Sequence, residues 1–318
     1  MNLHLVVLIA YSVVLIALGL WVGRLVRGSA DFFVAGRSLG PGLLFATVMA
    51  ANIGAGSTVG AASLGYLYGL SAWWWVGSAG IGTLLLAFFV GPRIHRLAAK
   101  HGFYTVGDFL EHRYGAAVRG VMTALLWMAT PAILAGQLIA LSVVLEVVVG
   151  FPRVPGLLLG GLVTTTYFTA GGLRGAAWIN LAQLVVLIIG FAAALVMALY
   201  SVGGWSGMAA PVGEPDYFNF WHGGGAGWTL LALLAPNFIV SPGLLQKVYG
   251  ARDTRSIRLG VGLCGLALLV FAFAPAVLGM VARMHYPDLI NPDHALPMLL
   301  RSHLPVLVGA VGLGALFM

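Results

Sequence analysis

Charge is scarce in this sequence: Asp, Glu, Lys and Arg together make up 8% of its 318 residues, against about 25% in soluble domains. With 60% of the chain apolar, there is too little polar surface for an ordinary soluble protein. Cysteine occurs once, as Cys264 inside an apolar run, which excludes a disulfide framework and a thiolate metal site. Glu146, near the end of its run, is the one acid within any long apolar run. A charge at the bilayer centre costs about 2.5–3.5 kcal/mol or more, so intramembrane charges mark proton relays and charged substrates, and that mark is missing. The eight histidines stand in loops or at run ends, and H-E-x-x-H, G-x-S-x-G and the phosphate-cradling loop motif are absent. An intramembrane enzyme is therefore poorly supported, and no cofactor is implied. The first run, 3–26, has neither a basic leader nor an A-x-A-type cleavage site, and it reads as a retained membrane helix. Neutral groups must hold whatever is handled inside the membrane.

What the sequence does have is long apolar runs, at a mean hydropathy of +1.00. About 20 apolar residues cross a bilayer core of about 30 Å. The runs predict an all-α, polytopic helical membrane protein, one transmembrane domain over 1–318, with spans at 3–26, 42–69, 72–96, 119–149, 155–171, 175–203, 228–250 and 256–282 and a ninth from Leu304. Turn chemistry at Gly40-Pro41, Phe151-Pro152, Gly171-Gly172 and 222-HGGGAG-227 separates them. Thirteen of the sixteen Lys and Arg residues fall in one set of loops, and only Arg153, Arg283 and Arg301 in the other. The positive-inside rule then places the N-terminus outside, in an inner or plasma membrane. So distributed, the net charge of +7 is a topology signal, and nucleic acid is excluded as a partner. Trp73, Trp74 and Trp75 are expected at the outer interface as part of an aromatic belt. In the inner loop, Thr105 with Asp108 fits a capping box for a short helix.

One span is poorly written as a helix. Residues 50-AANIGAGSTVG-60 place Gly54, Gly56 and Gly60 beside Asn52, Ser57 and Thr58. Each glycine lowers the cost of leaving helical geometry by about 1 kcal/mol relative to Ala. In lipid, irregular backbone is tolerated only where it is buried in protein or lines a polar cavity. A break near Gly54 would leave carbonyls suited to a bare cation on one side, and N–H groups suited to the electronegative end of a solute on the other. The competing reading is a glycine packing face with Ser and Thr bonded back to their own helix. The seventh span is interrupted as well, at 235-APNFIVSPGLLQK-247, by Pro236 and Pro242. Interruptions in corresponding helices of two halves point to a transporter site near the midplane.

Beyond these runs the chain resembles the sodium:solute symporter family along essentially its whole length. The resemblance is carried by 31-DFFVAGRSLG-40, 50-AANIGAGSTVG-60, 105-TVGDFLEHRYG-115, 171-GGLRGAAW-178, 241-SPGLLQKVYGARD-253 and 287-PDLINPDHALP-297, in this order. It implies an inverted repeat of the leucine-transporter type: an extra helix (3–26), a complete first five-helix repeat (about 42–203) and part of the second (about 228–318). It further implies a sodium ion, as coupling ion, on the backbone carbonyls of Ala50 and Ile53. Asn52, Ser57, Thr58, Asn237 and Ser241 would face a small organic solute, with Phe238 as a gate. Gln137, an amide in the middle of the fourth span, is a further candidate contact, or else a helix–helix hydrogen bond.

Two departures from the family pattern stand out. Members commonly carry Trp-Thr-Asp-x-x-Gln where this chain has 178-WINLAQ-183, so Asn180 replaces an acid on the sodium exit route. The chain also stops at Met318 within a span, so a longer protein is expected, one whose remaining sodium ligands lie further on and without which this chain does not cycle. Sodium-coupled symport is the leading expectation. A solute-sensing module of a longer signalling protein, a non-transporting fragment and a passive channel are the alternatives. Solute identity and oligomeric state are left open.

Overall fold

The computed structural model describes residues 29–305 apart from 213–214 and 224–225, with scattered helical positions on either side. The expected helices at 3–26 and from Leu304 onward fall largely outside the described residues. Among those residues the fold is almost entirely helical. Its β-structure is a two-residue ladder, His222–Gly223 with Ala226–Gly227, and an isolated bridge between Leu39 and Ala251.

The second expected span is two helices, α1 (Pro41–Asn52) and α2 (Val59–Tyr68), with a non-helical joint between them. A turn at Gly69 (φ +68°) leads to α3 (Trp73–Leu85), which continues through a π turn into α4 (Gly91–His101). The capping box forms as written. The Thr105 side chain accepts from Asp108 N–H, Asp108 accepts from Thr105 N–H at 2.8 Å, and the short helix α5 (Val106–Tyr114) follows.

Next come α6 (Ala116–Val149) and α7 (Arg153–Ser201). The turn expected at Gly171-Gly172 is not made, because α7 runs through both glycines as one helix of 49 residues. Glycine permits a turn without imposing one; in a helix it costs only about 1 kcal/mol, and no proline follows to block the next hydrogen bonds. Within α7 the membrane-length apolar segment is Gly175–Ser201, with a shorter one at Arg153–Leu162. The seventh expected span is α8 (Leu230–Val240) and α9 (Pro242–Tyr249), and the eighth leads through a π turn to α10 (Gly262–Phe271) and α11 (Phe273–His285). A short α12 (Ala295–Ser302) closes the described chain.

Glycines set how closely these helices approach. A Cβ at Gly65 of α2 would collide with the Ala276 carbonyl of α11, and one at Gly279 with the Ala62 carbonyl of α2. The two backbones are thus in direct contact, as small residues allow in lipid. Separately, α1 packs against α7, and α3 packs against α8 and α10.

Tryptophans 73 and 74 do not form the expected interfacial belt. They are buried among Phe220, Trp221 and Phe273, and their indoles donate to the carbonyls of Leu269 and Phe220 at 3.0 and 2.8 Å. The aromatic residues of the 215–228 segment cover them, a tertiary event that a hydropathy pattern does not carry. Elsewhere two sequence motifs, 31–40 and 241–253, meet. Leu39 N–H donates to the Gly250 carbonyl at 3.0 Å, Arg252 N–H donates to the Leu39 carbonyl at 2.9 Å, and Arg37 donates to the Phe103 carbonyl at 2.9 Å.

Candidate functional site

The joint between α1 and α2 is built from glycine geometry and diverted hydrogen bonds. Ile53 and Gly54 are extended (φ −103°, ψ 113° and φ −152°, ψ −160°), and Ala55–Ser57 form one tight turn before α2. In an unbroken helix the N–H of Gly54 would bond the Ala50 carbonyl, and that of Ser57 the Ile53 carbonyl. Instead Gly54 N–H donates to Ser57 Oγ at 2.8 Å, and Ser57 N–H donates to the Gly54 carbonyl at 3.1 Å. Both carbonyls implied as sodium ligands therefore lose their helical partners to groups within the joint.

The N–H side is less open than the sequence suggests. Ala55 N–H donates to Gln137 Oε1 of α6 at 2.7 Å, and Thr58 N–H to the Gly54 carbonyl at 3.1 Å. Gln137 thus makes the helix–helix bond weighed against solute contact. Thr58 is buried, its hydroxyl donating to the Gly54 carbonyl at 2.8 Å, and it is not among the residues lining the cavity beside the joint. Of the glycines expected to break the helix, Gly54 and Gly56 lie in the joint while Gly60 is already in the first turn of α2.

That cavity has a volume of ≈1180 Å³. Ala50, Asn52, Ile53 and Ser57 line it from the broken helix, Gln137 from α6, Asn180 from α7, and Asn237 and Phe238 from α8. Asn52 donates through Nδ2 to the Val48 carbonyl at 2.7 Å, while its Oδ1 is buried without a partner. Asn180 donates to Thr47 Oγ1 of α1 at 3.2 Å, joining α7 to the first half of the broken helix. Carbonyls, amides and hydroxyls form most of its polar lining, as expected from the shortage of charge.

The second interruption is narrower. Pro236 lies inside α8, which continues past it, and the break falls at Ser241 (φ −51°, ψ 121°) immediately before Pro242. A proline within a helix forfeits one N–H, whereas the residue before a proline is itself turned away from helical ψ. Ser241 accepts from the N–H groups of Leu244 and Leu245 and does not line the cavity. Ala50-Ala51-Asn52 and Ala235-Pro236-Asn237 share an A-x-N pattern, but the two are not equivalent in place. Asn52 is the last residue of α1, whereas Asn237 lies four residues ahead of Ser241.

Among the lining residues that sequence reasoning missed are Thr47, Trp75, Gln183, Gln246, Lys247 and Asp293. Gln183 sits three positions after Asn180, on the same helix face, with a buried and unpartnered Nε2. Lys247, counted among the inner basic residues, lies in α9 and donates to the Gly243 carbonyl at 3.3 Å. Trp75 donates from Nε1 to the Gly56 carbonyl at 2.9 Å. The three-tryptophan run drew attention to it, but assigned it to the lipid interface.

Known proteins are similar to this chain in sequence and in fold. The chain is 26% identical over 99% of its length to a sodium/glucose cotransporter of Vibrio parahaemolyticus, covering 64% of that protein. It is 26% identical over 93% of its length to the human (Homo sapiens) sodium/iodide cotransporter, covering 49% of it. A sodium/pantothenate symporter of Escherichia coli (strain K12) is 25% identical, with 89% of this chain and 61% of that protein aligned. The chain therefore spans about half to two-thirds of the length of these relatives. A solved structure of a Na+-coupled sialic acid symporter, in a substrate-bound outward-open state, superposes with a TM-score of 0.84 at 17% identity, over 99% of this chain and 68% of that one. The sodium:solute symporter family model matches residues 32–317, and this integral membrane protein belongs to that family.

Proposed function

We propose that the chain forms the coupling-ion site and one wall of the solute pathway of a sodium-coupled symporter, which moves a small organic solute by alternating access. The observation that carries this reading is the joint between α1 and α2. The N–H groups that would close the carbonyls of Ala50 and Ile53 are turned to Ser57 Oγ and the Gly54 carbonyl, beside a cavity whose polar lining is mostly neutral. Desolvated carbonyls at the end of a half-helix carry the negative end of its dipole and suit a bare cation. The names of the relatives support sodium as that ion.

In this reading the ion binds at Ala50 and Ile53, and the solute contacts Asn52, Ser57 and Asn237, with Phe238 alongside as a gate. Asn180 stands on the sodium exit route, where a neutral amide attracts the departing cation less than an acid does. Bound sodium favours the state open to the outside, and the distribution of Lys and Arg puts the N-terminus on that side. Uptake of a solute panel (sugars, amino acids, carboxylates, vitamins and urea-like compounds) by the complete protein in proteoliposomes tests the proposal. Uptake of one class should require an inward sodium gradient and fall on Asn52→Ala. Equal flux with and without the gradient would mark a passive channel and refute it.

A further inference from the structure

The turn Ala55–Ser57 is gripped by side chains from two other helices. Gln137 of α6 takes the Ala55 N–H, and Trp75 of α3 takes the Gly56 carbonyl. Only the carboxamide oxygen of Gln137 can accept an N–H, so the orientation of its side-chain amide is fixed. Its Nε2 then occupies the space in which a side chain at Gly54 would begin.

The competing structure at this joint is a longer α1. Ala55 N–H bonded to the Ala51 carbonyl, and Gly54 N–H to the Ala50 carbonyl, would each add a residue to the helix. Glycine at 54 weakens the helix without forbidding it, so the local sequence alone does not hold the joint open. Winding the joint back would also fill the carbonyl that the symport reading assigns to sodium. An acceptor that holds Ala55 N–H elsewhere therefore acts on the ion site without touching the ion.

We propose that Gln137 and Trp75 are positioning residues: they hold the first broken helix unwound and so keep the carbonyls of Ala50 and Ile53 free for a cation. Gln137 acts through the Ala55 peptide and is not a solute ligand. This inference rests on the symport reading above.

Binding of radioactive sodium to the complete purified protein tests it, with no solute present. Gln137→Leu removes the acceptor and should weaken sodium binding about tenfold, the worth of one buried hydrogen bond. Gln137→Glu keeps an acceptor oxygen within reach but has no Nε2, and should bind sodium at least as well as wild type, its carboxylate adding attraction for the cation. Trp75→Phe keeps a ring and loses the donor, and should weaken binding about threefold. Wild-type affinity in Gln137→Leu would overturn the inference, as would equal damage in Gln137→Leu and Gln137→Glu. If Gln137→Leu yields no folded protein, Trp75→Phe carries the test, and wild-type affinity there overturns the inference. An absence of sodium binding in the wild-type protein would instead overturn the symport reading, and this inference with it.

Discussion

The two interrupted helices break in different ways. Between α1 and α2 the backbone leaves helical geometry at Ile53 and does not re-enter an α-helix until Val59, with glycine at the extended position. Between α8 and α9 the departure is one residue, Ser241, enforced by Pro242. A break made by proline resists closing, because the ring has no N–H to give and disfavours helix in the residue before it. A break made by glycine can close, and it is at this break that bonds from Gln137 and Trp75 are found. The lesson is that a wide, reversible joint needs holding from outside the segment, while a narrow joint can be written into the segment itself.

The largest effect is expected where the first broken helix is anchored. Gly279→Ala would push a methyl group into the Ala62 carbonyl of α2 and should lower stability by about 1–3 kcal/mol, read from chemical denaturation of the purified protein. An unchanged midpoint would mean that α2 is free to shift against α11. Next in size, Pro242→Ala restores an N–H and removes a helix penalty of about 3 kcal/mol, which lets the second break straighten. Sodium-driven uptake should fall about tenfold with the yield of folded protein unchanged, and undiminished uptake would show that this break does not depend on its proline.

A paired glycine comparison follows. Gly54→Ala must displace the Gln137 amide, whereas Gly243→Ala, beside the second break, meets open space within 4 Å. Sodium affinity should drop about three- to tenfold in the first, and stability should stay within about 0.5 kcal/mol in the second. Equal behaviour would erase the distinction between the two joints.

The smallest effect lies just beyond α9. Asp253 accepts from Ser256 N–H at 2.6 Å, and that hydrogen bond holds its carboxyl below the usual carboxylate range. A depressed pKa stabilises the fold above the unfolded value of about 3.9, and the contribution is lost as pH falls through the lower, folded value. Amide exchange at residues 254–257 should therefore be flat near neutrality and quicken relative to neighbouring helix only in acid. Acid-induced loosening at the first joint instead would contradict the assignment.

Legibility in the sequence followed the range of the interaction. The Thr105–Asp108 box was readable because its partners are three residues apart and the motif is the bond itself. The joint at Gly54 was readable because three glycines in seven residues have no place in a stable membrane helix. Gly171-Gly172 misled, since glycine permits a turn without requiring one, and α7 continues through it. Pro236 and Pro242 look alike as letters, yet only Pro242 ends a helix. Gln137 was noticed, but its partner lies 82 residues away. The Trp75 bond crosses 19 residues, beyond any helical period.

By itself the sequence determined the solvent, the helical class and the positions where a helix is weak, because helix hydrogen bonds join residues four apart and any fault in that ladder is written locally. Only the tertiary structure decided what receives the N–H and C=O groups released at each fault. Some partners are local, as Ser57 Oγ is for Gly54 N–H, but Gln137 and Trp75 come from other helices, and which distant side chain reaches the joint is settled by packing.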